Sequence, residues 1–109
     1  MFKVIYYVSP RGDNFVRDFI LSLPEKVGSK VAEHIKYLSL TGPLAKPRYA
    51  CYLGDKIFEL RASFAHYEPR ILYFFHSRGI VLTHGFLKKT RAVPPEEIER
   101  AKRIKDGFQ

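Results

Sequence analysis

The sequence contains one cysteine and no tryptophan, and it has no long apolar run. The lone thiol, Cys51, excludes an internal disulfide and is typical of a protein in a reducing cytoplasm. No stretch approaches the roughly 20 apolar residues that a helix needs to cross a bilayer. Residues 1–13 alternate like a strand and do not resemble a signal peptide. We therefore expect a cytoplasmic protein that does not enter a membrane.

Several motifs that reveal a function are also missing. The chain has no CxxC, no HExxH and no phosphate-binding glycine loop. Its carboxylates are too scattered for a two-metal nuclease, and Glu96, Glu97 and Glu99 are better explained as charges at the start of a helix. We expect neither a metal ion nor a cofactor.

The chain is strongly basic. Nineteen Lys and Arg residues against eleven Asp and Glu residues give a net charge of +8. A small basic domain attracts polyanions, and the phosphate backbones of nucleic acids are the commonest of these in a cell. The excess charge is equally compatible with improved solubility or with an acidic protein partner.

The first half of the chain predicts a strand followed by two helices. A chain of 109 residues is the size of one domain, over residues 1–109. Residues 2–8, FKVIYYV, are typical of a strand. Apolar residues at helical spacing then indicate two helices, the first through Phe15, Phe19 and Leu23 and the second through Val27, Val31, Ile35 and Leu38. Gly42-Pro43 ends the second helix.

The second half predicts three strands and a final helix. Residues 57–64, 70–77 and 79–86 are typical strands, with a tight turn at 77–79. Residues 44–56 are interpreted as a loop or irregular edge because Pro47 and Gly54-Asp55 interrupt them. The final helix begins at Pro95. The predicted order is β-α-α-β-β-β-α, an α+β domain with helices on a mostly antiparallel sheet.

Basic residues lie near the ends of these strands. Arg61 is in the first of the three, Arg70 opens the second, and Lys88, Lys89 and Arg91 follow the third. Because consecutive strands are usually neighbours, these side chains can converge on one surface. Such a group suits metal-independent RNA cleavage, in which a 2′-hydroxyl attacks the adjacent phosphate and arginine stabilises charge on the phosphate oxygens.

Each basic residue also has a simpler interpretation. Arg61 can pair with Glu59 or another carboxylate, Arg70 can be a solvated strand end, and Lys88 and Lys89 can form a solvated charge run. From the residues alone we reach a basic α+β domain that binds RNA or an acidic partner.

A histidine is the natural group to transfer a proton near neutral pH. His84, at the exit of its strand beside Lys88, is the best placed, although it can also be a hydrogen-bonded core residue. His66 and His76 are weaker candidates in a loop and near a turn. His34 lies within the second helix and is interpreted as structural.

Four segments together resemble a known family. They are IFELR at 57–61, Arg70 within PRILYFF, HGFLKK at 84–89 and PPEEIERAKR at 94–103. In this series the chain resembles the RelE/ParE toxin superfamily, in particular its HigB-like, phage-derived branch. The resemblance covers most of the chain, from the first strand to the last helix.

The resemblance implies a type II toxin–antitoxin system. Members of the RelE and HigB type cleave mRNA, commonly on translating ribosomes and without metal, and a cognate antitoxin, often a helix-turn-helix protein, neutralises them. The implied fold is a twisted antiparallel sheet with two N-terminal helices on one side. ParE-like relatives instead poison DNA gyrase without catalysis, so a gyrase inhibitor, or an inactive homologue that only binds its antitoxin, is the alternative.

The resemblance also indicates functional positions. Arg61, Arg70 and Lys88 match basic positions that are catalytic or contact RNA in related toxins. No tyrosine follows Tyr73, so the C-terminal tyrosine of some relatives has no counterpart, and His84 or Lys88 is expected to replace it, with Tyr73 a remoter option. The expected catalytic residues are Arg61, Arg70, His84 and Lys88. The expected RNA-binding residues are Lys56, Lys89 and Arg91.

Overall fold

The computed structural model describes residues 1–108, which form three α-helices and a five-stranded sheet. The strands are β1 (Lys3–Tyr6), β2 (Ala50–Gly54), β3 (Ile57–Arg61), β4 (Pro69–His76) and β5 (Gly79–Leu87). The helices are α1 (Phe15–Ser22), α2 (Glu25–Thr41) and α3 (Pro95–Gly107). The chain is therefore an α+β protein, and none of the helices in residues 1–108 is both long and apolar enough to cross a membrane.

The sheet is mixed, with the strand order β1-β5-β4-β3-β2. β1 runs parallel to β5, and the other neighbouring strands are antiparallel. A parallel pair needs a crossover connection, and α1 and α2 begin it. The side chains of β4 and β5 are buried on both faces of the sheet, which explains why these strands are the most continuously apolar segments of the sequence.

The segment interpreted as a loop or irregular edge contains one strand more than predicted. Residues 50–54 form the edge strand β2, which pairs with β3 and has a register shift between Tyr52 and Gly54. Pro47 lies before the strand instead of within it, and Asp55 and Lys56 form a two-residue turn with φ angles of 51° and 65°. Positive φ at both central positions is the geometry that joins antiparallel strands tightly. The observed order of elements is thus β-α-α-β-β-β-β-α.

Helices cover both faces of the sheet. α1 and α2 pack on one face, around the core residues Val16, Val31, Leu38, Leu60, Ile71, Tyr73 and Leu82. α3 packs on the other face, around Ile57, Leu72, Phe74, Val81 and Ala101. Tyr73, which the sequence offered as a remote catalytic candidate, is buried in the first core, and this burial raises the pKa of its hydroxyl.

A β-bulge in β5 decides which face His84 occupies. Leu72 pairs with His84 while Tyr73 pairs with Leu82, so Thr83 is an extra residue. The Thr83 hydroxyl donates to the Leu72 carbonyl at 2.9 Å, which secures the bulge. A bulge shifts the alternation of side chains by one residue. His84 therefore lies on the α3 face, where its ring contacts Glu97.

Candidate functional site

A cavity of about 500 Å³ opens where strands β3, β4 and β5 meet at one edge. Most of its wall is cationic or polar, and we call it the cationic cavity. It is lined by His34, Arg48, Tyr49, Arg61, Ser63, Arg70 and Lys88. Four of these seven side chains are arginine or lysine, so the cavity suits an anionic ligand.

Strand register brings three of the cations together. Arg61, the last residue of β3, pairs directly with Arg70, near the start of β4. Lys88 follows β5, and its backbone N–H donates to the Glu68 carbonyl at 2.9 Å, which extends the pairing of β4 and β5 by one step. Because these strands are antiparallel, the end of β3, the start of β4 and the end of β5 share one edge.

The remaining wall comes from α2 and the segment before β2. The Arg61 N–H donates to the Tyr49 carbonyl at 2.7 Å, which fixes Tyr49 beside the cavity. The Tyr49 ring lies 5.4 Å from the imidazole of His34, between ring centroids. The Arg48 guanidinium lies 5.3 Å from the Tyr49 ring, in the range of a cation–π contact.

Glu59 links the two arginines beneath the cavity. Its Oε1 accepts from Arg61 Nε at 3.0 Å and its Oε2 accepts from Arg70 Nε at 3.1 Å. Glu59 is only 1% exposed, so its charge is stabilised by these two guanidinium groups and not by water. This pairing of Arg61 with Glu59, expected from the sequence as the alternative to a role in RNA cleavage, is present.

Arg70 is held by the protein through all three guanidinium nitrogens. Besides the Nε contact, Nη1 donates to the Pro69 carbonyl at 3.0 Å and to the Ser63 hydroxyl at 3.4 Å, and Nη2 donates to Glu68 at 3.1 Å. The residue is 6% exposed. Arg70 thus shapes the wall of the cavity, and its removal would leave Glu59 with one partner fewer.

Arg61 is more available to a ligand. Its side chain is 35% exposed, and neither Nη atom has a hydrogen-bond partner among residues 1–108. Since Glu59 engages only Nε, the two Nη groups remain as a fork that can bind two oxygens of one phosphate. Arg61 is paired with Glu59 through Nε, whereas Lys88 and Arg48 have no carboxylate within 4.0 Å in the described part of the chain.

Glu68 places a negative charge at the rim. It accepts hydrogen bonds from Ser63 and Arg70. The Ser63 hydrogen bond, together with the hydrogen bond and charge of Arg70 and the charge of Lys88, lowers the pKa of this carboxyl, although partial burial opposes the shift. The carboxylate therefore occupies donors that a bound phosphate would otherwise use.

His34 is the histidine that the structure brings to the cavity. Its Nδ1 lies 2.8 Å from the Lys30 carbonyl, one turn earlier in α2. A carbonyl oxygen only accepts, so Nδ1 carries the hydrogen and donates it. In the neutral ring the other nitrogen, Nε2, then holds a lone pair that can take up a proton.

His84, the expected proton carrier, does not line the cavity. It is 1% exposed, with Nδ1 3.0 Å from the Thr83 hydroxyl and Nε2 2.9 Å from Glu97 Oε1. Burial lowers the pKa of this imidazole, and the hydrogen bond that Glu97 accepts from the ring only partly opposes that effect. His84 is absent from the cavity because the bulge at Thr83 turns its side chain to the α3 face. The structure thus matches the alternative of a hydrogen-bonded core histidine.

The three expected RNA-binding residues also lie outside the lining. Lys56 is in the β2–β3 turn, at the opposite end of β3 from Arg61, roughly 16 Å away for a five-residue rise. Lys89 and Arg91 are exposed in the loop between β5 and α3. Their charge contributes to the surface near the strand end, but neither is among the residues that line the cavity.

Sequence reasoning missed four lining residues. These are Arg48, Tyr49 and Ser63, together with His34, which was interpreted from the sequence as structural. Arg48 and Tyr49 fall in the segment interpreted as a loop, where an aromatic beside an arginine was the available signal. Ser63 follows β3 by two residues. For His34 the sequence carries no signal, because helical periodicity does not say which external side chain reaches a neighbouring loop.

The chain matches one family model. That model, described as Phage derived protein Gp49-like, covers residues 18–106, which include every residue that lines the cationic cavity. No curated protein is similar enough to the chain to count as a match. Because the family model spans most of the sequence, the chain belongs to the Gp49-like family of phage-derived proteins.

Proposed function

We propose that this protein is the toxin of a type II toxin–antitoxin system and that it cleaves mRNA without a metal ion, on translating ribosomes. The Gp49-like family is associated with RelE-like endoribonuclease toxins. The observation that carries the proposal is the cationic cavity, to which three separate strand ends contribute Arg61, Arg70 and Lys88. A cytoplasmic location, where mRNA and ribosomes are found, is part of this proposal.

The cavity offers the groups that transfer of a phosphodiester needs. In this reaction the RNA 2′-oxygen forms a bond to the adjacent phosphorus while the bond from phosphorus to the 5′-oxygen breaks. The products are a 2′,3′-cyclic phosphate and a 5′-hydroxyl. Negative charge builds up on the non-bridging oxygens, and preorganised donors aimed at those oxygens lower the barrier. The free Nη fork of Arg61 and the ammonium group of Lys88 fill this role.

Two proton transfers complete the reaction. We assign the first to His34, whose Nε2 accepts the proton of the 2′-hydroxyl while Nδ1 stays bonded to the Lys30 carbonyl. Lys88 donates the second proton to the leaving 5′-oxygen, which yields the 5′-hydroxyl product. His84, to which the sequence assigned this chemistry, is left out because it is buried and absent from the lining.

An antitoxin is the expected protein partner. We propose a helix-turn-helix protein with an acidic segment that covers the cavity and neutralises its exposed cations. Such a segment would pair with Arg48, Arg61 and Lys88, which line the cavity. Within residues 1–108 no carboxylate pairs with Arg48 or Lys88, and Glu59 engages only Nε of Arg61. Charge complementarity of this kind speeds association and selects the partner.

Inducing expression in a bacterial host and mapping transcript 5′ ends tests the function. The nuclease should create new ends within reading frames and arrest growth. Arg61→Ala should lower cleavage by about a hundredfold or more, the usual effect of losing one preorganised donor. Arg78→Ala, which removes an exposed arginine from the β4–β5 turn, is the matched control and should remain toxic. Intact transcripts together with DNA damage would refute the proposal and favour a gyrase inhibitor.

A further inference from the structure

A second groove adjoins the cationic cavity. It has a volume of about 300 Å³ and is lined by Glu33, His34, Tyr37 and Tyr49. His34 and Tyr49 belong to both walls, so a ligand in one space is directly next to a ligand in the other. We call it the aromatic groove. Its size is at the lower end of small-ligand sites, suited to one flat heterocycle.

The two tyrosines are fixed before any ligand binds. The Tyr37 hydroxyl accepts from the Lys46 N–H at 2.8 Å. The Tyr49 N–H donates to the Lys46 carbonyl at 2.8 Å, and the Tyr49 carbonyl accepts from the Arg61 N–H. The two rings meet edge to face, with centroids 5.2 Å apart. A ring ligand would therefore enter a site that needs little reordering, which favours binding.

Glu33 adds polar selectivity at the rim of this groove. Its carboxylate is largely exposed, and one oxygen, Oε1, lies 3.4 Å from Lys30 Nζ. Its other oxygen has no hydrogen-bond partner among residues 1–108. A carboxylate at the edge of an aromatic site accepts hydrogen bonds from a base that presents N–H donors. Guanine presents two adjacent ones, at N1 and N2, whereas the other bases present fewer.

We propose that the aromatic groove is a subsite for one unpaired nucleobase of the RNA, preferably guanine, next to the phosphate held by the cationic cavity. The inference rests on the proposed function, since it assumes that the cavity holds an RNA phosphate. Unpaired bases are characteristically bound by stacking on aromatic side chains and by hydrogen bonds to their edges. The shared wall of His34 and Tyr49 places such a base beside the reacting phosphate.

Binding of short oligonucleotides tests the subsite separately from cleavage. The probe is a fluorescein-labelled five-nucleotide 2′-O-methyl RNA, which lacks the attacking hydroxyl and so cannot be cut. Its central position carries guanine, adenine, cytosine, uracil or no base, and affinity is measured at one fixed salt concentration. The guanine probe should bind the protein about tenfold or more tightly than the abasic probe, the typical effect of one stacked base.

Three variants identify the groove as the source of that difference. Tyr37 lies outside the cationic cavity, so Tyr37→Leu should weaken binding of the probes with a base and leave the abasic probe unchanged. Tyr49→Leu should reduce the difference between the guanine and abasic probes, whereas Tyr49→Phe should retain the wild-type pattern. Tyr52→Leu is the matched control, because the Tyr52 hydroxyl also accepts a backbone N–H, from Lys56 at 3.0 Å, but on the exposed edge strand β2.

The possible outcomes separate the two proposals. Equal affinity for guanine and abasic probes, or a base preference that survives both leucine variants, would overturn the subsite. Glu33→Gln should abolish the preference for guanine over adenine, and equal binding of all four bases by the wild type would overturn the guanine assignment. Base-dependent binding without any cleavage of unmodified RNA would leave the subsite standing and refute the nuclease.

Discussion

Replacement of Glu59 by Gln should destabilise the protein far more than the loss of an exposed carboxylate. Glu59 is 1% exposed and serves two arginine Nε groups at 3.0 and 3.1 Å. Glutamine keeps the volume, but its amide oxygen can accept from one guanidinium only, its NH2 group faces the other, and the buried negative charge between the two arginines is lost. Breaking a buried ion pair by removing one partner costs about 3–5 kcal/mol. A small domain has only about 5–15 kcal/mol in total.

Urea denaturation is a suitable assay for this change. With a slope of about 1–3 kcal/mol per molar urea for a small protein, a loss of about 3–5 kcal/mol should lower the Glu59→Gln midpoint by roughly 1–5 M. Asp18→Asn is the control, because Asp18 pairs with Arg17 at 3.2 Å in an exposed ion pair. Such a pair is worth at most about 1 kcal/mol.

A double variant shows whether the cost comes from an unpaired charge. In Glu59→Met/Arg70→Met both buried charges are gone and apolar side chains of similar length take their place. Substitution of this kind is often neutral, so the double variant should be more stable than Glu59→Gln alone. Arg61 keeps access to water because its side chain is 35% exposed. A Glu59→Gln midpoint within the range of Asp18→Asn, or a double variant less stable than the single one, would refute this reasoning.

Three further predictions concern the cavity and the α3 face. Glu68→Gln should tighten the binding of inorganic phosphate, because it removes the anion that occupies Arg70 Nη2. Calorimetry measures this affinity. Unchanged or weaker binding, or an equal gain in the control Glu99→Gln on α3, would contradict the prediction. His34→Gln should slow RNA cleavage about a hundredfold or more with little change in the affinity for uncleavable RNA, as expected for loss of a proton acceptor; parallel losses in rate and affinity would indicate a binding role. Since burial lowers the folded-state pKa of His84, the unfolded state binds more protons below its ordinary pKa of 6.5. The free energy of unfolding should then fall as pH decreases below about 6.5, by at most about 1.4 kcal/mol per pH unit for this group, and stay flat above it. Unfolding midpoints between pH 5 and 8 would reveal this slope, and a similar slope in His84→Gln would assign it to other groups.

Hydrophobic periodicity was sufficient to predict the helices that bury one stripe of apolar residues and the strands that are continuous apolar runs. Val27, Val31, Ile35 and Leu38 predicted α2, and their side chains are buried there. β2 was missed because Pro47 and Gly54 interrupt the segment and its residues are only partly buried. Hydrogen bonding to β3, which the sequence does not display, makes it a strand.

The position of the site depends on the strand ends, which can be read from the sequence, and on a β-bulge, which cannot. Strand order and strand ends were visible, and they placed Arg61, Arg70 and Lys88 near one another. The bulge at Thr83 could not be predicted, because one extra residue does not change the pattern of a continuous apolar segment. The bulge nevertheless places His84 on the α3 face instead of the face covered by α1 and α2. Long-range contacts such as that of His34 with Tyr49 depend on tertiary packing and were equally hidden.

The pairing of β1 with β5 has a consequence for synthesis of the chain. Among the strands of this sheet β1 leaves the ribosome before the other four, but its partner β5 leaves after them, and residues 3–6 pair with residues 79–82. Contacts so distant in sequence make folding slow. Until β5 has emerged, β1 has no neighbour, and Lys88 and the strand end beside it are also missing. Each nascent chain therefore stays without its complete sheet, and without a complete cavity, until most of the chain has been translated.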